Sequence, residues 1–213
     1  HNNLFIVKDS MSQKTKKLYR ILSHYFFYSL FQKIMSGTSL RKKIVKNFIT
    51  RNNVNVLDIG CGPAEILNSL TKVNYFGYDI NSNYINYAKK KYKEKGKFFC
   101  KKFTSKDIKN LPKFDHILLL GILHHLNDQE INKLMKLIKK VLKKEGNIIT
   151  EDPIFVENQN RIAKFIIRMD RGNNVRDKKG YINIMRKYFG KVKNKVYHQK
   201  FIPYTWFVMN CKN

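Results

Sequence analysis

Val54-Asn55-Val56-Leu57-Asp58-Ile59-Gly60-Cys61-Gly62-Pro63 is an apolar run that ends in a glycine turn, and its reading decides the fold. Val54, Val56, Leu57 and Ile59 suit a strand buried on both faces. Gly60 and Gly62 let the backbone turn sharply and let a ligand approach the main chain. Pro63 stands where the first turn of a helix tolerates it, and Ile66, Leu67 and Leu70 continue a helical pattern. The stretch therefore reads strand, glycine turn, helix. Ligands of open α/β sheets bind at the carboxyl ends of the strands, where this turn lies. A dinucleotide fingerprint would have a third glycine three residues after the second, but the chain has Glu65 there. A carboxylate is a poor neighbour for a pyrophosphate, so the turn favours a cofactor without phosphates.

Outward from this turn, strands and helices alternate. The stretch YFGYDI over 75–80 reads as a second strand ending in Asp79, 21 residues after Asp58. A carboxylate there can accept hydrogen bonds from both hydroxyls of a ribose, or it can cap the helix that follows. Asn81 is the expected N-cap of a helix over 82–94. Further strands are expected over 97–103, 114–120 and 147–151, with Asn127 or Asp128 capping a helix that runs to about 144. Helices near 158–170 and 179–189 follow, then strands over 191–200 and 204–211 split by Pro203. Upstream, an amphipathic helix over 14–35 ends at Gly37 and a second helix spans 39–50. Alternation argues for a parallel sheet with helices on both faces. The last two strands are too close in sequence for a crossover and must pair antiparallel. The predicted fold is α/β: a Rossmann-like, seven-stranded, mostly parallel sheet with a terminal antiparallel hairpin. Residues 1–50 form a helical extension or lid, and 51–213 form the main domain.

A chain of 213 residues with 43% hydrophobic residues, 12 Tyr and 15 Phe is globular and not disordered. No apolar run reaches the roughly 20 residues that span a bilayer. The opening HNNLFIVKDSMSQK lacks a signal-peptide pattern. Three cysteines without a Cys-x-x-Cys argue against a disulfide framework and against zinc. These readings point to the cytoplasm. The formal net charge of +28 has two readings. One is a basic surface for nucleic acid or anionic membrane. The other, favoured, is compositional, because Lys, Asn, Ile, Phe and Tyr are abundant together and no Arg-rich tract occurs.

VLDIGCGP (56–63) followed by FGYDIN (76–81) resembles the cofactor motifs of class I S-adenosylmethionine-dependent methyltransferases. GILHHLND (121–128) and KKVLKKEGNIIT (139–150) resemble the fourth strand, the next helix and the fifth strand of that class. YINYAKKKY (84–92), DRGNNVRDKKGY (170–181) and IPYTWFVMNC (202–211) are similar to a bacterial branch whose acceptors are mostly unassigned. The resemblance runs from about residue 20 to the end. It implies that S-adenosylmethionine binds and S-adenosylhomocysteine is released. It implies that Asp58 and the main chain of Gly60, Cys61 and Gly62 surround the methionine part. Asp79 would hold the ribose, Ile80 would pack on the adenine, and Phe103 with Lys102 would lie beside it. Main-chain groups of Leu120 and Gly121 would face the methionine ammonium. Many relatives have an acidic residue where this chain reads Lys101-Lys102-Phe103.

Methyl transfer needs an acceptor lone pair held in line with the sulfur–methyl bond, and an acceptor hydroxyl also needs a base. His124 and His125 follow the fourth strand, and Glu151 and Asp152 end the fifth. Adjacent histidines cannot both point at one site, and either can instead cap the helix start. Asp170, Arg171, Gly172, Arg176 and Tyr181 form a polar cluster. Arg171 or Arg176 could grip a carboxylate or phosphate, and the bland alternative is a helix cap. The favoured function is methylation of a small-molecule acceptor, since Gly121-Ile122-Leu123-His124 replaces the Asn-Pro-Pro-Tyr-type element of nucleic-acid amine methyltransferases. An RNA methyltransferase and a non-catalytic binding protein with the same fold are the alternatives.

Overall fold

The structure is a computed structural model that describes residues 39–169, 173–199 and 203–213. The expected helix over 14–35, Gly37 and the Asp170-Arg171-Gly172 stretch lie outside these residues. The chain divides between Arg41 and Lys42, and the fold below is that of Lys42–Asn213.

Helix α1 (Ser39–Phe48) leads into β1 (Val54–Ile59) and β2 (Val73–Asp79). Then come α2 (Ser82–Tyr92), β3 (Gly96–Cys100), β4 (Phe114–Leu120), α3 (Asp128–Val141) and β5 (Leu142–Pro153). The chain closes with α4 (Arg161–Arg168), α5 (Lys178–Arg186), β6 (Lys191–His198) and β7 (Thr205–Lys212). The sheet order is β3-β2-β1-β4-β5-β7-β6. The first five strands are parallel, and β7 runs antiparallel to both β5 and β6. The seven-stranded, mostly parallel sheet with an antiparallel end is the one expected. The terminal hairpin docks through its second strand, so β6 forms the edge.

One difference lies just after the glycine turn. In place of the expected helix from Pro63 there is a short 3-10 turn, Glu65–Ser69. Between Ile59 and Val73 the chain must return along a six-residue strand, about 20 Å. Wound as an α-helix at about 1.5 Å per residue, the whole connection would only just cover that distance and leave nothing for turns. Ala64, left-handed at φ 55°, and Leu70, extended, bound the tighter turn.

Sheet residues alternate between two buried faces. Leu57, Ile59, Ile117, Leu119, Ile148, Phe207 and Met209 pack with Ile131, Met135 and Ile138 of α3 and with Tyr181 and Met185 of α5. On the opposite face Tyr75 and Phe98 meet each other, and Phe98 meets Tyr92 of α2. Covering both faces makes the near-continuous apolar strands legible as parallel ones. Asn127 caps α3 with a full capping box, accepting from the Glu130 N–H while Glu130 accepts from its own. Asn81 caps α2 as expected. Among the described residues no helix is long and apolar enough to cross a membrane.

Candidate active site

The glycine turn is held by main-chain bonds to the neighbouring strand. The N–H groups of Gly60 and Cys61 both donate to the carbonyl of Tyr78, at 2.7 and 3.0 Å. Gly60 and Gly62 have φ values of +73° and +54°, in the region that favours glycine. The two glycines serve different purposes. A Cβ on Gly60 would stand 2.0 Å from the Cδ1 of Ile122, so the β4 loop packs hard against it. A Cβ on Gly62 would meet nothing within 4 Å, so the turn has open space above it. Asp79 accepts from the Gly62 N–H through Oδ2 and from the Asn81 N–H through Oδ1, both at 2.8 Å. Its carboxylate thereby joins the turn to the start of α2, and each oxygen keeps a second lone pair for a ligand. Ile80, beside it on the same rim, is 69% exposed.

Beneath the turn, Asp58 is buried and accepts from the Tyr75 hydroxyl at 2.6 Å. Burial, then the Asp58 charge, holds the Tyr75 phenol far above its ordinary pKa, so it remains a donor. Cys61 folds back over the sheet, where a Cβ on Gly77 would lie 2.9 Å from its sulfur. Burial first, then Asp58 and Asp79, pushes the Cys61 thiol upward, which leaves it unreactive. Tyr75 and Gly77 were not picked out from the sequence. Their alternation with Asp79 along β2 was the available signal.

Phe103 is buried and meets the ring of Tyr78 edge-on at 5.4 Å, while Lys102 is exposed. An acidic residue stands four residues after Phe103. Asp107 is buried, accepts from the N–H and the hydroxyl of Thr104 at 2.9 Å, and pairs with Lys101 at 2.5 Å. Burial raises its pKa, but the Lys101 and Thr104 donors more than reverse this and hold it below the ordinary value. Thr104-x-x-Asp107 is a recognisable turn signature that the sequence reading passed over.

His124 and Asp152 meet across the ends of β4 and β5. His124 lies in a 3-10 turn, Leu123–His125, and is 4% exposed. Its Nδ1 lies 2.9 Å from Oδ1 of Asp152, and its main-chain N–H donates to the same oxygen at 3.2 Å. Asp152 is fully buried. Burial pushes its carboxyl up, against the opposing pull of His124. His125 is exposed and lies against the His124 ring, centroid to centroid 4.0 Å. Glu151 is buried on the opposite face of β5, and its carbonyl accepts from the N–H of Gly121, which has φ +77°. Leu120 is buried at the end of β4.

Arg176 and Tyr181 are placed differently from an acceptor clamp. Arg176 donates through Nη1 to the carbonyls of Leu123 and Asn174, at 3.1 and 2.8 Å. Through Nη2 it donates to the carbonyl of Leu126 and to Asp128, at 2.9 and 2.7 Å. All four terminal N–H bonds thus go to protein, and the guanidinium clasps the turn that carries His124. Tyr181 is buried, with its hydroxyl donating to the Pro153 carbonyl at 3.1 Å.

A family model described as a methyltransferase domain matches residues 50–206. The chain belongs to that methyltransferase family. The chain is 32% identical over 116 residues to the ubiquinone biosynthesis O-methyltransferase of Pelagibacter ubique. That stretch covers 50% of this chain and 48% of the relative, so the chain spans about half the length of the curated relative it matches. Its fold is similar to a SAM dependent methyltransferase from Archaeoglobus fulgidus, with a TM-score of 0.66, 19% identity, and coverage of 87% of this chain and 100% of that one. It is also similar to the N-methyltransferase NodS from Bradyrhizobium japonicum, with a TM-score of 0.64, 14% identity, and coverage of 85% and 98%. At these identities the structural likeness is one of fold. In this chain the glycine turn, Asp58 and Asp79 lie at the carboxyl ends of β1 and β2. Gly60 and Cys61 share the Tyr78 carbonyl there, Gly62 donates to Asp79, and Asp58 accepts from Tyr75.

Proposed function

We propose that the chain binds S-adenosylmethionine at the Gly60–Gly62 turn and methylates a hydroxyl of a small molecule. The open space over Gly62, fastened to the Asp79 carboxylate at 2.8 Å, carries this reading. It offers close main-chain approach, an acidic acceptor for ribose hydroxyls and an exposed apolar residue, Ile80, for a base ring. The residues fit the cofactor. The cofactor supplies a methyl group made electrophilic by its sulfonium sulfur. Asp58, held by Tyr75, gives the turn a buried negative charge suited to a cationic methionine part. The Gly121 N–H is engaged by Glu151, so the carbonyls of this corner are the groups that suit an ammonium.

An oxygen acceptor is supported by the Pelagibacter relative, which is named an O-methyltransferase, and by the His124–Asp152 pair. A hydroxyl must lose its proton as its oxygen forms the new bond. Asp152 accepts from Nδ1–H, which sets the tautomer that carries a lone pair on Nε2 of His124. Asp152 then stabilises the imidazolium after the proton arrives. Arg176 fixes the turn that carries the ring.

The reading is tested by calorimetric titration of the protein with S-adenosylmethionine and, separately, S-adenosylhomocysteine. Binding near micromolar is expected, and Asp79→Ala should weaken it at least tenfold, about 1.4 kcal/mol. A folded protein that binds neither ligand would overturn the proposal.

A further inference from the structure

A second polar site lies at the opposite edge of the sheet. A cavity of about 350 Å³ opens there, lined in part by Arg51, His116, Glu145, Asn147, Asn210 and Lys212. Its floor is a row of polar side chains across three neighbouring strands. Asn147 Nδ2 donates to Asn210 Oδ1 at 2.6 Å, which turns the Asn147 Oδ1 toward Nδ1 of His116, its hydrogen-bond partner. Nδ1 therefore carries the proton. The ring is 7% exposed, and its Nε2 has no hydrogen-bond partner among the described residues. The same face of β4 carries Leu118 and Leu120, both buried, so an apolar residue could stand at this position. A buried nitrogen without a partner is uncommon in native proteins and calls for a reason.

The charges around it supply one. Arg51 and Lys212 line the cavity, against the single carboxylate of Glu145. A smaller adjoining cavity shares Asn210 and Lys212 and adds Lys191 and Lys193 from the edge strand. Asp115, next to His116, opposes them in part, and its own carboxylate is held by Lys143 at 2.8 Å and by the Asn55 N–H at 2.9 Å. We propose that this cavity binds a small tetrahedral oxyanion, a phosphate or sulfate ester, between Arg51 and Lys212, with Nε2 of His116 completing the site. Arg51 offers a fork matched to two of the anion's oxygens, and Lys191 and Lys193 draw the anion in. The volume leaves room for the organic body of an ester. This site is separate from the cofactor turn, because His116 stands four residues before Leu120, the carboxyl end of β4, about 13 Å along the strand.

Binding should take up a proton. Burial holds the imidazole of His116 below its ordinary pKa, and Arg51 and Lys212 push the same way, against Asn147 and Asp115. An arriving dianion stabilises the imidazolium and turns Nε2 into a donor.

Sulfate is the useful probe, since it does not titrate between pH 6 and 8 and any pH dependence belongs to the protein. Titration of the full chain with sulfate should give binding that tightens at least about threefold from pH 8 to pH 6. Arg51→Gln and Lys212→Gln, both at exposed positions, should each weaken it about tenfold. In nitrogen–proton spectra of the histidine rings, sulfate should move the His116 signals from the neutral to the imidazolium pattern. Glycerol 3-phosphate should produce the same response. Unmoved His116 signals at about 20 mM sulfate would overturn the site, as would binding indifferent to both substitutions. A response to a short oligoribonucleotide but to neither small anion would overturn the small-ligand reading.

Discussion

At the scale of single residues, Asp152 holds a tension between stability and function. Burial raises its pKa, so the ionised carboxylate costs folding energy at neutral pH. Because the folded-state value is the higher one, that cost disappears as pH falls through it. Asp152→Asn keeps an acceptor for Nδ1 of His124 and removes the buried charge. The melting temperature should therefore hold or rise by about 2–4 °C. If Asp152 positions His124 as a base, the same variant slows methyl transfer without abolishing it. Without the carboxylate the imidazolium is less stable, so the rising limb of the pH–rate profile should move to lower pH by about one unit. Scanning calorimetry and labelled-methyl transfer to an extract acceptor measure the two effects, and a structural role alone would leave the limb where it was. Asp58, Gly60, Gly62 and Asp79 were legible in the sequence because a glycine turn between strands has few other uses. Tyr75 was not, because its phenol finds Asp58 only when β2 lies beside β1 in register, Asp58 opposite Gly77.

At the scale of elements, the turn after β4 depends on a residue 50 positions further on. Arg176 ties Leu123, Leu126 and Asn174 together. Its ion pair with Asp128 adds little, since Asp128 is 70% exposed. Arg176→Gln should cost about 2 kcal/mol in urea unfolding, and hydrogen exchange should accelerate across 122–127 before the rest of the sheet. Cofactor binding should weaken less than in Asp79→Ala. Caps and strands were readable here because they are local: Asn81 and Asn127 stand next to the residues they cap. The missing helix after Pro63 was not, because the strand length to be retraced decides it, and that is a property of the assembled sheet.

For the molecule as a whole, 43 basic and 15 acidic residues repel one another in the compact state. Raising NaCl from about 20 to 500 mM should raise the melting temperature by several degrees, through screening alone. Acid acts through particular carboxylates. Burial raises Asp107 and Asp115, but Lys101 with Thr104, and Lys143 with Asn55, reverse this and leave both below their ordinary value. Groups of that kind contribute stability above the unfolded pKa of about 4 and lose it as pH falls through the folded value. Asp107→Asn should therefore lower the melting temperature at pH 7, and the difference from the parent should shrink below pH 4.

By itself the sequence determined the strand–helix alternation of the parallel half, the glycine turn and its acid, and the family they resemble. Each of these depends on residues near one another along the chain: alternating burial, a two-glycine turn, side-chain caps. The tertiary structure alone decided what each polar residue faces. It joined His124 to Asp152, 28 positions away, and turned Arg176 from a ligand clamp into a clasp on a turn. It aligned His116, Asn147 and Asn210 across three strands on one face. The physical reason is that a side chain's partner depends on register and on which face of the sheet it occupies, and both are set only when distant strands pair.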